Sequence, residues 1–380
     1  MANKGRYEAI LELGAKIQSS VDQSFGAVQK RLDGLEKSAK TSNDLFGNMA
    51  KAVAGVAGAI AGLSVVKDFI GDSIEQAMTF ESSMADVAKV VDGLKDPLGN
   101  TTQAYADMSK EIIDMSLRLP MTTSEIAELM SAAAQSGIAA EELTRFAEGT
   151  AKMGVAFDLP AESAGEMAAV IRSSLGISQD EFVALADKVN YFGNTTTQSS
   201  DKLIEVVKES GLIGKQAGVA GDEIAALSAA ITGMDTANMG TALNNIFGSL
   251  MAGKGATDKA LSAWEKLGFD ASQVARDMLV DSEGTMLSIF QSLKEKIPAD
   301  ELSATVSAIF GDNKSTQMAI ASFTENLDDL KNNFETIGDS TKYAGSMQDE
   351  FDSRAATTEN KVKLMKNAFG NLQITIGNFA

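Results

Sequence analysis

Apolar residues recur along this chain at three- and four-residue spacings, and run after run of them is followed by a glycine. That spacing gathers apolar side chains on one face of an α-helix, and a glycine just past the last of them can turn left-handed and end the helix. Ile126, Leu129, Met130 and Ala133 precede Gly137, and Phe182, Leu185, Val189 and Phe192 precede Gly193. Leu203, Val206 and Val207 precede Gly211; Ile224, Leu227 and Ile231 precede Gly233; Leu261, Trp264 and Leu267 precede Gly268. Ile309 and Phe310 come before Gly311, and Leu327, Leu330, Phe334 and Ile337 before Gly338. Two helix starts are written in as well. Thr122–Glu125, just after Pro120, and Ser178–Glu181 are both capping boxes, in which the first hydroxyl and the fourth carboxylate satisfy each other's backbone N–H. Only four prolines interrupt the chain, and no window alternates with period two. The predicted class is all-α: an N-terminal coiled-coil helix followed by a Gly-punctuated multi-helix module.

Residues 1–46 read as one long amphipathic helix. Its stripe is Ile10, Leu13, Ile17, Val21, Phe25, Val28, Leu32 and Leu35, spaced like a heptad seam with one stutter near Val21. Such a helix would reach roughly 65 Å. The seam predicts self-association; an ordinary amphipathic helix packed on its own domain is the competing reading. Residues 47–79 form a second segment, an Ala/Gly-rich hydrophobic helix and linker. Its uncharged stretch from Ala52 to Val66 is short of the roughly 20 apolar residues that a bilayer demands. Gly55, Gly58 and Gly62 would let another helix backbone approach closely, so the segment is expected to pack on protein, with transient membrane contact as the alternative. Residues 80–380 make up the third part, a helical core module.

Composition removes most chemistry. The chain has no Cys and no His, which excludes disulfides, thiolate or imidazole nucleophiles, and the usual zinc and haem ligands. Its net charge of −19 argues against tight wrapping of nucleic acid and would repel DNA passing nearby. Aromatics are 6% of residues while Met alone counts 18, a mix that suits thin, adaptable helix packing. Gly248–Gly255 follows a phosphate-binding loop up to its last position, where Gly255 replaces the hydroxyl that would hold magnesium. The residues before it read as helix where that motif needs a strand, so it is expected to be a helix-to-helix loop. Pairs such as Glu141 and Glu142 are expected to be solvated helix faces. Asn194-Thr195-Thr196 matches a glycosylation acceptor, but Met1–Glu8 lacks the apolar core of a secretory signal. No catalytic, cofactor-binding or metal-binding residue is predicted.

From Phe80 onward a series of short blocks keeps a recognisable order and spacing. They are Phe80–Val90, Leu119-Pro120, Thr123–Glu128, Ala134–Ile138 and Glu141–Leu143, then Ala186-Asp187 with Asn190. Ala217–Val219, Glu223–Ala226, Gly240–Leu243 with Leu250, Ala260-Leu261, Leu267–Phe269, Ile309–Gly311 and Leu372–Gly377 complete the series. Together they resemble the core region of phage tail tape measure proteins of the TP901 type. One departure stands out: Met239 occupies a packing position where the pattern calls for Ala.

The resemblance implies a structural protein that lies in the tail tube lumen as parallel copies, a trimer or hexamer. It would set tail length during assembly and be ejected before DNA passes. Implied partners are other copies of itself, tail tube and tail-tip or baseplate proteins, and tail assembly chaperones. The implied place is a virion tail, or a headless tail particle such as a contractile bacteriocin, after synthesis in the host cytoplasm. The alternative is a membrane-active helical protein, ejected from a tail to help form a conduit. A ruler needs long uninterrupted helix, so residues beyond 68 are expected to be a folded module instead of the measuring rod. The chain stops within an apolar pattern, Gln373 to Ala380, which suggests a truncation, a processed product or a short tape.

Overall fold

The computed structural model describes residues 63–377. The seam from Ile10 to Leu35, the residues Gly55, Gly58 and Gly62, and most of the stretch from Ala52 to Val66 lie outside them. In chain order the helices are α1 Leu63–Val90, α2 Gln103–Ser116, α3 Thr123–Gln135, α4 Leu143–Phe157, α5 Ala161–Leu175 and α6 Gln179–Thr195. There follow α7 Ser200–Gln216, α8 Gly221–Ala230, α9 Thr236–Leu250, α10 Asp258–Leu267, α11 Ala271–Met278 and α12 Ser282–Lys296. The last are α13 Ala299–Phe310, α14 Lys314–Glu325, α15 Leu327–Gly338, α16 Ser340–Tyr343, α17 Ser346–Ala355 and α18 Thr358–Gly377. The all-α expectation is borne out: among the described residues the only β-type pairing is an isolated bridge between Lys95 and Thr101.

The helix starts follow the capping chemistry. Thr122 N–H donates to Glu125 Oε2 at 2.7 Å and Glu125 N–H to Thr122 Oγ1 at 3.2 Å, which closes the box that opens α3. Ser178 and Glu181 make the same exchange at α6. The glycines divide into two kinds. Gly137, Gly233, Gly268 and Gly311 take positive φ just beyond a helix, as expected. Gly338 is the last residue of α15, whereas Gly193 and Gly211 lie inside α6 and α7 and do not stop those helices. Gly193 and Gly211 are small because a neighbour is close. A Cβ on Gly193 would lie 2.7 Å from Ser200 N and 3.0 Å from Ser200 Cα; one on Gly211 would lie 3.3 Å from Leu175 Cδ2.

Residues separated widely in sequence close each of two compact units. The first joins the described residues up to Glu128 with those from Thr358 onward. Within it α18 packs along α1 and reaches α2. Among the described side chains of α1, those buried are Ala77, Phe80, Met84 and Val87, at steps of three, four and three. Asn367 of α18 pins the end of α2: its amide donates to the carbonyls of Ser116 at 2.9 Å and Met121 at 2.6 Å. Asn371, one turn later, donates to Ser116 Oγ at 2.8 Å. The Ser116 carbonyl that Asn367 takes is one of the acceptors that a helix C-terminus leaves open.

The second unit is Leu129–Thr357. Its centre is α7, packed by α5, α8 and α9, with α14 packed on α9 and α15 on α8. Phe247, Phe290, Phe323 and Phe334 are almost wholly buried there, and the Phe290 and Phe323 rings lie 5.0 Å apart. Met239 is fully buried in α9, so this fold accommodates the larger side chain where Ala was expected. A satellite cluster forms where α10 packs on α13. Trp264 stands edge-on to Phe269 and Phe310, with ring centroids 6.2 and 6.0 Å away. Two of the sequence blocks thus meet on one indole. Lys296 closes the cluster by donating to the Leu267 carbonyl at 2.7 Å, a cation at the C-terminus of α10.

Candidate functional site

The α6 helix turns Phe182, Leu185, Val189 and Phe192 into the core, at steps of three, four and three. Beside that apolar stripe the same helix carries Asp187, Lys188, Asn190 and Asn194, and this polar flank grips the turn between α16 and α17. Asp187 is buried, and its two carboxylate oxygens accept from Gly345 N–H and Met347 N–H, each at 3.0 Å. Gly345 is the N-cap of α17, so Asp187 caps that helix from another element. Asn190, 1% exposed, donates to the Ser346 carbonyl and hydroxyl, both at 2.9 Å. Lys188 pairs with Asp222 at 2.5 Å and lies 5.0 Å from the centre of the Tyr343 ring. A polar hollow of about 290 Å³ opens here between Asn194, Lys342, Tyr343, Ser346 and Glu350. The resemblance had singled out Asp187 and Asn190 as a block without saying what they do. Lys188 was missed, because a lone lysine gives no sequence signal.

A second polar junction joins the N-termini of α8 and α12. Glu223 accepts from Ala220 N–H at 2.6 Å and from Ser282 Oγ at 2.7 Å. Ala220 has no side-chain oxygen to complete a capping box, so the carboxylate does half of that work alone. Burial pushes the Glu223 carboxyl above the usual carboxylate range, more than its hydrogen bonds pull it down. Glu283 is raised too, first by burial and then by the charges of Glu223, Asp281, Asp222 and Glu335.

The one hydroxyl-to-carboxylate contact at these junctions, Ser282 to Glu223, is buried where two helices begin, and the geometry of both junctions positions helices. Among the described residues no group of three or more acidic side chains is arranged to hold a metal ion. The phosphate-loop look-alike is divided: Gly248 lies within α9 and Gly253–Gly255 form a 3-10 turn, with no strand before them. Glu142 accepts from Arg172 Nη2 at 2.9 Å, and that guanidinium lies over the Phe146 ring. Glu142 therefore helps to fasten α4 and α5 together, while Glu141 is exposed, as expected.

Comparison with known proteins gives these junctions a context. The sequence model of the family described as phage-related minor tail protein matches residues 109–311. The chain belongs to this family. A probable tape measure protein of Halomonas phage phiHAP-1 is 29% identical over 318 residues, covering 80% of this chain and 36% of that relative. The kinship expected from the sequence blocks is borne out, and the chain spans about a third of that relative's length. No solved structure matches. In this tail protein the matched region runs from within α2 to the glycine that ends α13, so it holds Asp187, Asn190, Glu223 and the Trp264 cluster. The turn that Asp187 and Asn190 grip, at Gly345 to Met347, lies beyond it.

Proposed function

We propose that this tail protein is a folded segment of a tape measure protein, non-enzymatic, which occupies the tail tube lumen before ejection and takes part in setting tail length. The observation that carries the reading is its likeness, over four fifths of its residues, to a probable tape measure protein. Physical features support it. The acidic balance suits a conduit for DNA, because like charge keeps a passing polyanion from sticking. The short, cap-closed helices of the described residues suit a folded body, and a rod would need uninterrupted helix. The domain plan follows: a coiled-coil helix over residues 1–46, an Ala/Gly-rich connection over 47–79, and the folded core over 80–380.

In this reading parallel copies associate through the N-terminal seam, and the folded core meets tail tube, tail-tip or baseplate proteins, with assembly chaperones acting beforehand. The membrane-active alternative draws on residues 52–66; among the described residues no helix is long and apolar enough to cross a membrane. Tail length tests the proposal. An in-frame insertion of about 35 helix-favouring residues in the phage gene, placed in uninterrupted helix outside residues 80–380, should lengthen tails by roughly 50 Å in electron micrographs. Tails of unchanged length would count against a measuring role.

A further inference from the structure

We propose that the segment from Asp339 to Thr357 is a detachable strap, which opens from the Leu129–Thr357 unit before the rest of that unit unfolds and has the polar flank of α6 as its catch. The first ground is how little apolar surface holds it. No residue of α16 is buried, and of the ten residues of α17 only Met347 and Phe351 among the apolar ones are. By contrast α9 buries Met239, Gly240, Ala242, Leu243, Ile246, Phe247 and Leu250. Elements with few buried contacts open first, at lower free energy than the global transition.

The second ground is the nature of the fastening. Apart from the packing of α17 on α4, it is polar and concentrated: Asp187 takes two N–H groups at the start of α17, Asn190 takes Ser346, and Lys188 takes Tyr343. Polar closures are directional, so a small displacement breaks them together, and the released groups find water. The third ground is a built-in pivot. Ala344, at φ −58° and ψ 126°, and Gly345, at φ 82° and ψ 0°, make a type II turn between two helices, whose second position glycine fills freely. Once open, the segment could extend to roughly 65 Å, slack that a packed chain lacks. The strap does not depend on a tail role for the protein, since it concerns only how one unit opens.

Hydrogen exchange on the full chain tests it. Amides of Ser346–Ala355 should exchange at least about tenfold faster than those of α9, and Asp187→Asn should speed them about another tenfold while leaving α9 and α14 unchanged. Equal rates in α17 and α9, or acceleration of all helices alike in the variant, would overturn the strap. A second measurement stands if Asp187→Asn does not fold. The chain has no cysteine, so Met347→Cys and Met286→Cys each supply a single buried thiol. A thiol reagent should modify position 347 at least tenfold faster than position 286; equal rates would overturn the proposal.

Discussion

Replacing Gly193 with Ala should destabilise the second unit, against the ordinary rule for glycine in a helix. Removing a helical glycine usually gains up to about 1 kcal/mol, because alanine loses less backbone freedom on folding. At Gly193 the added Cβ would stand 2.7 Å from Ser200 N and 3.0 Å from Ser200 Cα. These are backbone atoms at the start of α7, so relief requires a shift of the helix, not of a flexible side chain. Overpacking of this kind costs about 1–3 kcal/mol, and the upper part of that range applies, leaving a net loss of about 1–2 kcal/mol. Gly248 is the matched control. It too is third from the end of its helix, it is exposed, and an added Cβ there meets nothing within 4 Å. Gly248→Ala should therefore leave the unit unchanged or gain up to about 1 kcal/mol. The single tryptophan, Trp264, is buried in this unit and reports its unfolding by fluorescence. For a domain of this size each kcal/mol moves Tm by about 2–4 °C, so Gly193→Ala should lower Tm by roughly 4 °C. If both variants shift Tm in the same direction, the close approach of α6 and α7 is not what requires glycine there.

Asn367→Ala removes the donor to the Ser116 and Met121 carbonyls; the loss should be about 2–3 kcal/mol, read as faster amide exchange in α18, and unchanged exchange there would refute the pin. Glu223→Gln can accept from Ala220 N–H through its amide oxygen and donate to Ser282 Oγ through its amide N–H, while removing the charge. Because burial raises the carboxyl, its contribution to stability is fully present below about pH 4.5 and is lost as pH rises through the raised folded value. The variant should therefore lose less stability than the parent between pH 4.5 and 7, with Asp222, Asp281, Glu283, Glu335 and Lys188 left in place around it. Parallel urea midpoints across that pH range would sink the argument. Ile17→Asp with Leu32→Asp should dissociate a peptide of residues 1–46 in sedimentation, if the seam is a coiled coil; unchanged sedimentation would point to an ordinary amphipathic helix.

What the sequence made legible was local. A capping box spans four residues, so Thr122–Glu125 and Ser178–Glu181 could be read directly, and both form as expected. Gly268 and Gly311 were likewise readable as stops, because the apolar period ends just before each. Gly193 and Gly211 carry the same local signal and were read the same way, yet the helix runs on past each. Their neighbours come from other helices, and periodicity holds no information about that approach. Asn367 shows the same limit more sharply, since it serves carbonyls about 250 positions earlier in the chain. The polar catch was half visible: Asp187 and Asn190 stood out through resemblance, while their partners at Gly345 to Met347 gave no pattern at all. The expected seam lies outside the described residues.

The central claim is that this protein is a tape-measure-type component of a phage tail. Electron cryomicroscopy of assembled tails, with quantitative mass spectrometry of the same particles, tests it most directly. The account predicts a fixed small number of copies per tail and helical density within the tube before ejection. Complete tails of normal length that lack this chain would contradict it.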